Sequence, residues 1–374
     1  IMKKRRLCML GLSLVMLLLS ACASKREEPL TFEKLEKLSA FVKENEDLRM
    51  LESSGDDFYF VKESDQGSLL KKTEQVWRYD VEKDQLEELA IGDGQSQISS
   101  VYEYGDRLYY VKNKQEYNET TYPITITVHA MSDGKEQELQ RFTTWERYRS
   151  PILVGEKEHC YLWLAAITQP LRENGEASEK RLLYRCQNDH LQPLYEEEIV
   201  LAKDSVAAES SLQLEQNAAE TIAVNADGVY YRMLIDEQQG GAGTIGYVKH
   251  DSTQSSLFRL QPYVREELDA TDEMLLLQDG SSENLSVMLN AKMDEMEEYH
   301  FTELDGYCGK ELTVLKDGLL AVGLAQGTQF YELQEQDLSK IETDFTDQIK
   351  TYHGNGTYLL VEGQNGDFYL VRRA

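Results

Sequence analysis

The chain has 374 residues, with 67 Asp and Glu against 39 Lys and Arg, for a formal net charge of −28. So acidic a surface excludes nucleic acid as the partner, because that binding depends on neutralising phosphates with basic side chains; it also opposes lying flat on anionic lipid and otherwise serves solubility through mutual repulsion. The length exceeds the roughly 250 to 300 residues that one core serves, and with six prolines and no Pro-, Gly- or Ser-rich linker a repeat array is expected in preference to two domains.

Lys3, Lys4, Arg5 and Arg6 precede an apolar run from Leu7 to Leu19. That run is shorter than the ~20 residues a helix needs to cross a hydrocarbon core, and a basic stretch, a short apolar stretch and then small residues are the order of a secretory signal. The small residues end in Leu19-Ser20-Ala21-Cys22. This tetrapeptide resembles the lipobox of bacterial lipoproteins. The resemblance implies cleavage between Ala21 and Cys22, diacylglyceryl transfer to the Cys22 thiol and N-acylation of the new terminus, and stable anchoring does take more than one acyl chain. Residues 1–21 would then be a cleaved signal peptide and 22–46 a lipidated tether with a helix or closing strand. The mature chain would carry 35 basic against 67 acidic residues, a formal −32.

Next comes "TFEKLEKLSAFVKENEDL", residues 31–48, with Leu35, Leu38 and Val42 at helical spacing. It is expected either to cap the repeat array as a helix and donate no strand, or to supply the outer strand that the last unit, which shows only three, lacks. From residue 47 onward short apolar, aromatic-rich runs recur: Phe58 to Val61, Leu108 to Val111, Cys160 to Leu164, Val229 to Tyr231, Met274 to Leu277, Leu319 to Val322 and Tyr358 to Val361. Turn signals such as "SGDD", "YGDR", "NADG", "KDG" and "GNG" precede several of them, and Gly and Asn tolerate the positive φ such turns need. Each run therefore reads as the second arm of a hairpin. A further strand follows most of them past a polar loop, as in "VWRYDVEKD", "ITVHAMSDG", "LLYRCQNDH" and "DFYLVRR", and often a weaker fourth.

Measured from Tyr59, Tyr109, Tyr161, Tyr230, Leu276, Leu320 and Tyr358, the spacings are 50, 52, 69, 46, 44 and 38 residues. Four-stranded blades repeat at about 40 to 50 residues in β-propellers, and the consecutive apolar positions suit a sheet covered on both faces; a β-sandwich, which should alternate, ranks second. "GDRLYYVKN" and "NADGVYYRM" resemble the bacterial propeller families with repeats of the form DG-x-(I/L)-Y-Y. The Trp-Asp dipeptide of WD40 repeats is absent, Trp77 preceding Arg78 and Trp145 preceding Glu146. The expected fold is an all-β propeller over 47–374 of about seven blades, six or eight being admissible. The widest interval contains "EEEIVLAKDSVAAESSLQLEQNAAE", 196–220, read as a helical or mobile excursion. The unit around Met274 lacks the tyrosine pair and is the weakest match.

No G-x-S-x-G elbow and no H-E-x-x-H pair is present. His159-Cys160 with Cys186 and His190 is the sole Cys/His grouping; its spacing fits no zinc pattern, so no metal is expected. Cys160 and Cys186, in two runs of one repeat, are read as buried free thiols in preference to a disulfide. With 67 carboxylates no acid and base pair can be singled out, the Gly-rich "QQGGAGTIG" at 238–246 lacks a P-loop lysine, and no D-x-[DN]-x-[DN]-G calcium loop appears. No catalytic residue and no cofactor is assigned.

Long loops at 116–123 and 167–180 occupy the same place in two units, and insertions in repeat proteins gather on the binding face. Tyr117, Tyr122, Arg172 and Asn174 are the candidate ligand contacts. The functional expectation is a lipid-anchored extracytoplasmic protein, on the outer membrane if the cell is Gram-negative, that meets the membrane through Cys22 and binds a protein or envelope ligand without catalysis. The alternative is a propeller enzyme acting on sugars or envelope polymers, with acidic residues lining its channel.

Overall fold

A run such as Phe58-Tyr59-Phe60-Val61, apolar at every position, is fully buried only when both faces of its strand are covered. The computed structural model describes residues 29–373 except 65–69, 117–122, 146–150, 168–176, 202–221, 234–243, 260–266, 279–284, 290–296, 301–311, 325–326, 335–336 and the single positions 46, 52, 54, 273 and 346. Among the described residues the strands form seven four-stranded antiparallel sheets.

The first blade is β2 (Leu48–Leu51), β3 (Asp57–Ser64), β4 (Lys72–Asp80) and β5 (Gln85–Leu89). The second is β6 (Gln97–Tyr104), β7 (Arg107–Gln115), β8 (Ile124–Ser132) and β9 (Lys135–Thr144), and the third β10 (Ile152–Glu156), β11 (His159–Ile167), β12 (Ala177–Cys186) and β13 (Leu191–Leu201). The fourth is β14 (Ile222–Val224), β15 (Gly228–Arg232), β16 (Thr244–Lys249) and β17 (Ser255–Arg259); the fifth is β18 (Glu267–Ala270), β19 (Met274–Gln278), β20 (Leu285–Leu289) and β21 (Glu297–His300). The sixth is β22 (Leu312–Val314), β23 (Leu319–Leu324), β24 (Gly327–Gln334) and β25 (Asp337–Ile341). The seventh takes β26 (Ile349–Gly354), β27 (Leu359–Gly363) and β28 (Phe368–Arg373) from the end of the chain and β1 (Leu30–Lys34) from its start.

Every second strand divides its side chains between two neighbours. Along β3, Tyr59 and Val61 join Ile98, Val101 and Tyr110 of the second blade, while Phe58 and Phe60 join Leu360 and Phe368 of the seventh. The same division recurs between the second and third, third and fourth, fourth and fifth, fifth and sixth, and sixth and seventh blades. The core is thus a closed circle of inter-blade layers. This is a β-propeller.

Closure decides between the two readings of the segment before the first blade. A helix, α1 (Glu36–Glu44), does form there, but Leu30–Lys34 before it is the outer strand of the seventh blade, from Leu30 opposite Arg373 to Lys34 opposite Tyr369. Without β1 the edge of β28 would be an unpaired template for other chains. The helix then packs Leu38 and Val42 on the layer between the seventh and first blades. Buried Ser39 fixes it there, donating to Leu35 O at 2.6 Å and accepting from the Phe368 amide at 2.9 Å.

Two further readings change. Glu196 to Leu201 belong to strand β13, opposite Ala177 to Leu182, and not to a helical excursion; 202–220 lie outside the described residues. Glycine in the hairpin turns also has two reasons. Gly105 has the positive φ, 65°, that the turn chemistry predicts, whereas Gly228 is required by contact, since a Cβ there would lie 2.3 Å from Val248 O.

Phe32 of β1 stacks on Phe345 at 4.1 Å and meets Phe330 edge-on at 5.6 Å. Phe32→Ala should cost about 2 kcal/mol, a partly buried ring giving less than a core one, whereas exposed Thr31→Ala should stay within about 0.5 kcal/mol. Urea midpoints of the two variants check this.

Candidate ligand cavity at the ring axis

Each first strand has a sheet partner on one edge only, and its other edge turns to the axis, where successive first strands from β2 to β26 touch. The hairpin turns joining first to second strands all lie on one face of the ring, and they are tied to one another. Asn225 Oδ1 accepts from the amides of Asp227 and Gly228 at 3.1 and 3.2 Å while its Nδ2 donates to Thr271 O of the next blade at 3.3 Å. The Asp272 amide donates to Lys316 O at 3.2 Å, the Lys316 amide to Gly356 O at 2.8 Å, and the Gly55 amide to Asn355 O at 3.1 Å. Asn355 repeats the part of Asn225, holding its own turn and donating to Asp57 O of the first blade at 3.3 Å.

Across this face runs a contact between blades that are not neighbours. Lys316, in the turn of the sixth blade, is ion-paired and hydrogen-bonded to Glu156 at the end of β10 in the third. In a ring of this size those blades stand opposite each other, so the pair bars the axis at the turn face. The Glu156 and Lys316 side chains are 8% and 20% exposed. Beside them the Tyr102 hydroxyl donates to Lys157 O at 2.5 Å, and its ring fills the place of a side chain at Gly155, where a Cβ would come within 2.2 Å of Cζ.

Two titratable clusters lie between neighbouring blades. Between the third and fourth blades His159 stacks on His250 at 4.1 Å with planes 5° apart. His250 Nε2–H donates to Asn225 O at 2.7 Å and Nδ1 accepts from the Tyr161 hydroxyl at 2.8 Å, which assigns the neutral tautomer; burial holds this ring below the usual histidine range. Between the first and second blades Arg78 bridges Glu103 and Glu87. Burial there pushes the Asp57 carboxyl up to about 6; Arg78 opposes the rise, and Asp80, Glu103 and Asp56 add to it.

A cavity of about 290 Å³ lies against the first strands of the sixth, seventh and first blades. Met50, Leu51, Phe58, Leu312 and Tyr352 supply apolar wall, and Ser53, Thr313 and His353 supply polar groups. Within its wall Thr313 packs directly against Gly354, where a Cβ would lie 2.1 Å from Thr313 Cγ2. No carboxylate or ammonium is among the lining residues. Burial lowers His353, so its ring is uncharged at neutral pH. The cavity is chemically a neutral, largely apolar site with a few hydrogen-bonding groups, the usual make-up of small-ligand pockets.

Leu19, Ser20, Ala21 and Cys22, and Tyr117, Tyr122, Arg172 and Asn174, are all outside the described residues. The strands that flank the two long loops, β7 with β8 and β11 with β12, have their loop-side ends, Gln115 with Ile124 and Ile167 with Glu179, on the face opposite the hairpin turns. Among the described residues no three His, Cys, Asp or Glu side chains gather to hold a metal, and no helix is long and apolar enough to cross a membrane. Glu156, Lys316 and the cavity residues other than Phe58, which was read as a packing strand, carried no mark in the sequence beyond the lysine of "KDG", a cation in a turn position.

No protein-family model matches the chain, and no curated protein matches it. Among solved structures the chain is similar to a catalytically inactive virginiamycin B lyase from Staphylococcus aureus bound to quinupristin, with 8% identity over 91% of this chain and 98% of that one and a TM-score of 0.46. It is also similar to a chain of a nidogen/laminin complex, with 9% identity over 68% of this chain and 80% of that one and a TM-score of 0.33. Neither likeness bears on chemistry.

Lys316→Met should cost about 2 kcal/mol by leaving Glu156 buried and unpaired, with Lys157, 4.0 Å away, limiting the loss; Glu156→Gln added to it should restore most of the stability. A double-mutant cycle in urea reads both. Folded Asp57 holds its proton to about 6, against about 4 unfolded. Stability from this group is full below the unfolded value and falls as pH rises through that window. Asp57→Asn should therefore raise stability at pH 7 by about 1 kcal/mol after screening and change it little at pH 4, as urea midpoints at the two pH values would show.

Proposed function

We propose that the chain is an exported lipoprotein, held on the outer side of a bacterial membrane by lipid on Cys22, whose propeller binds a protein or cell-envelope ligand without catalysis. The basic leader, its short apolar run and Leu19-Ser20-Ala21-Cys22 support the tether. The axial cavity supports the binding role and carries it: its lining is neutral and mainly apolar, and at the turn face Glu156 is spent on Lys316. A channel built to cleave sugars would present free carboxylates to its substrate. The ligand group that fits is therefore uncharged, partly apolar and able to make two or three hydrogen bonds.

The closing strand gives the tether a direction. Leu30, at the start of β1, pairs with Arg373 at the face of the hairpin turns. Eight residue steps separate Cys22 from Leu30, a reach of at most about 28 Å. A lipid on Cys22 therefore turns the barred face toward the bilayer and the rim of long loops away from it, while the acidic surface keeps the ring from lying flat.

Intact mass of the detergent-extracted protein, beside Cys22→Ala, tests the tether. A chain beginning at Cys22 with added diacylglycerol, lost in the variant, is expected, and a chain retaining residues 2–21 would sink the reading. For the orientation, dyes at exposed Asp133→Cys on the turn face and Gln364→Cys on the opposite face are compared in vesicles with a headgroup quencher. The Asp133 position should be quenched more strongly, and equal quenching would overturn it.

A further inference from the structure

Cys160 and Cys186 are directly opposed in the register of β11 and β12. Opposed residues of an antiparallel pair have Cα atoms about 4.5 or 5.5 Å apart, and both values fall inside the range of about 4.4 to 6.8 Å that disulfides span. Successive side chains of a strand alternate faces and opposed ones share a face, so the two sulfurs lie on the same side of the third blade. Both are buried, at 1% and 6% exposure, in one layer with Tyr109, Leu162 and Tyr184.

The neighbouring histidines do not compete for these thiols as a metal site would require. His159 stacks on His250, and His190 Nδ1 hydrogen-bonds to Asp189 at 2.7 Å. No group of three possible ligands occurs among the described residues. Each thiol has the other as its partner, the hydrogen bond from Cys186 adding to the burial that pushes the Cys160 thiol up.

We infer that Cys160 and Cys186 are a cross-strand disulfide site, closed when the folding chain meets a small-molecule or protein disulfide as oxidant. In the first exchange a Cys160 or Cys186 thiolate attacks one sulfur of that oxidant and expels the other as a thiolate. The remaining cysteine then attacks the mixed disulfide and expels the second. The pair gives up two protons and two electrons, and the oxidant leaves as two thiols. Once the second and third blades have packed, the buried thiols are poor nucleophiles, so the bond forms before that layer closes. It staples the hairpin whose far end carries the 167–180 loop. The inference goes beyond the lipoprotein reading and does not depend on it.

The test uses full-length mature chain, residues 22–374 with Cys22→Ala, refolded in a glutathione redox buffer, quenched with acid, and alkylated in denaturant without reductant. One adduct, on Cys308, is expected, with a mass two protons lower than the reduced chain, a linked peptide containing Cys160 and Cys186, and three adducts after reduction. Cys186→Ser should show two adducts without reductant. Reduction should lower the melting temperature by about 5 °C. Three adducts on the unreduced protein, or a linked peptide that joins Cys308 to either residue, would overturn the inference. Because the oxidant is supplied in the tube, failure here leaves the lipid-tether reading untouched, and failure of the lipid-mass test leaves this one untouched.

Discussion

The requirement that every sheet be covered on both faces organises this molecule. A four-stranded sheet whose second strand reads Phe-Tyr-Phe-Val or Leu-Leu-Ala-Val has no face to offer water, so each blade must lie between two others. Two-sided burial repeated along a chain has no natural end, and the arrangement is satisfied only when the last blade meets the first. The layer that unites Leu360 and Phe368 with Phe58 and Phe60 performs that meeting, and α1 is laid over it. β1 answers the matching problem at the sheet edge by filling the outer place in the seventh blade.

This constraint also decides what was legible in the sequence. Second strands were legible because consecutive apolar positions leave a strong signal, and each of the seven runs is the second strand of its blade. First strands were not: β14 and β22 have three residues each, too few to show a period. β1 could be named only as an alternative because an outer strand is half solvated, leaving Thr31, Glu33 and Lys34 exposed around Leu30 and Phe32. Leu35, Leu38 and Val42 gave the helix the stronger signal. The acidic stretch Glu196-Glu197-Glu198 misled for a related reason, since an outer strand such as β13 tolerates charges that would break an inner one.

The site was hidden more thoroughly than the fold. Glu156 and Lys316 stand 160 positions apart in a chain rich in both charge types, and only ring closure brings third and sixth blades face to face. The cavity residues are ordinary ones, Met50, Leu312, Tyr352 and their neighbours, which separately read as packing. Gly354, whose missing side chain leaves room for Thr313 in the wall, is visible in sequence only as one glycine among 24.

The seventh blade is where architecture and proposed role meet. Its inner strand β26 lines the cavity, and its outer strand β1 leads back toward Cys22. Under the proposed tether, tension from the lipid enters at Leu30 and runs along β1, so the paired positions from Leu30 to Lys34 bear it together in shear and do not open one at a time. Phe32, held by Phe345 and Phe330, ties that strand to the sixth blade, which supplies Thr313 and Leu312 to the same cavity. Closing the ring with the N-terminal strand therefore does more than hide an edge. It places the strand that leads back toward Cys22 and the strand that lines the cavity on opposite edges of a single four-stranded sheet, so that a pull on one is felt by the other.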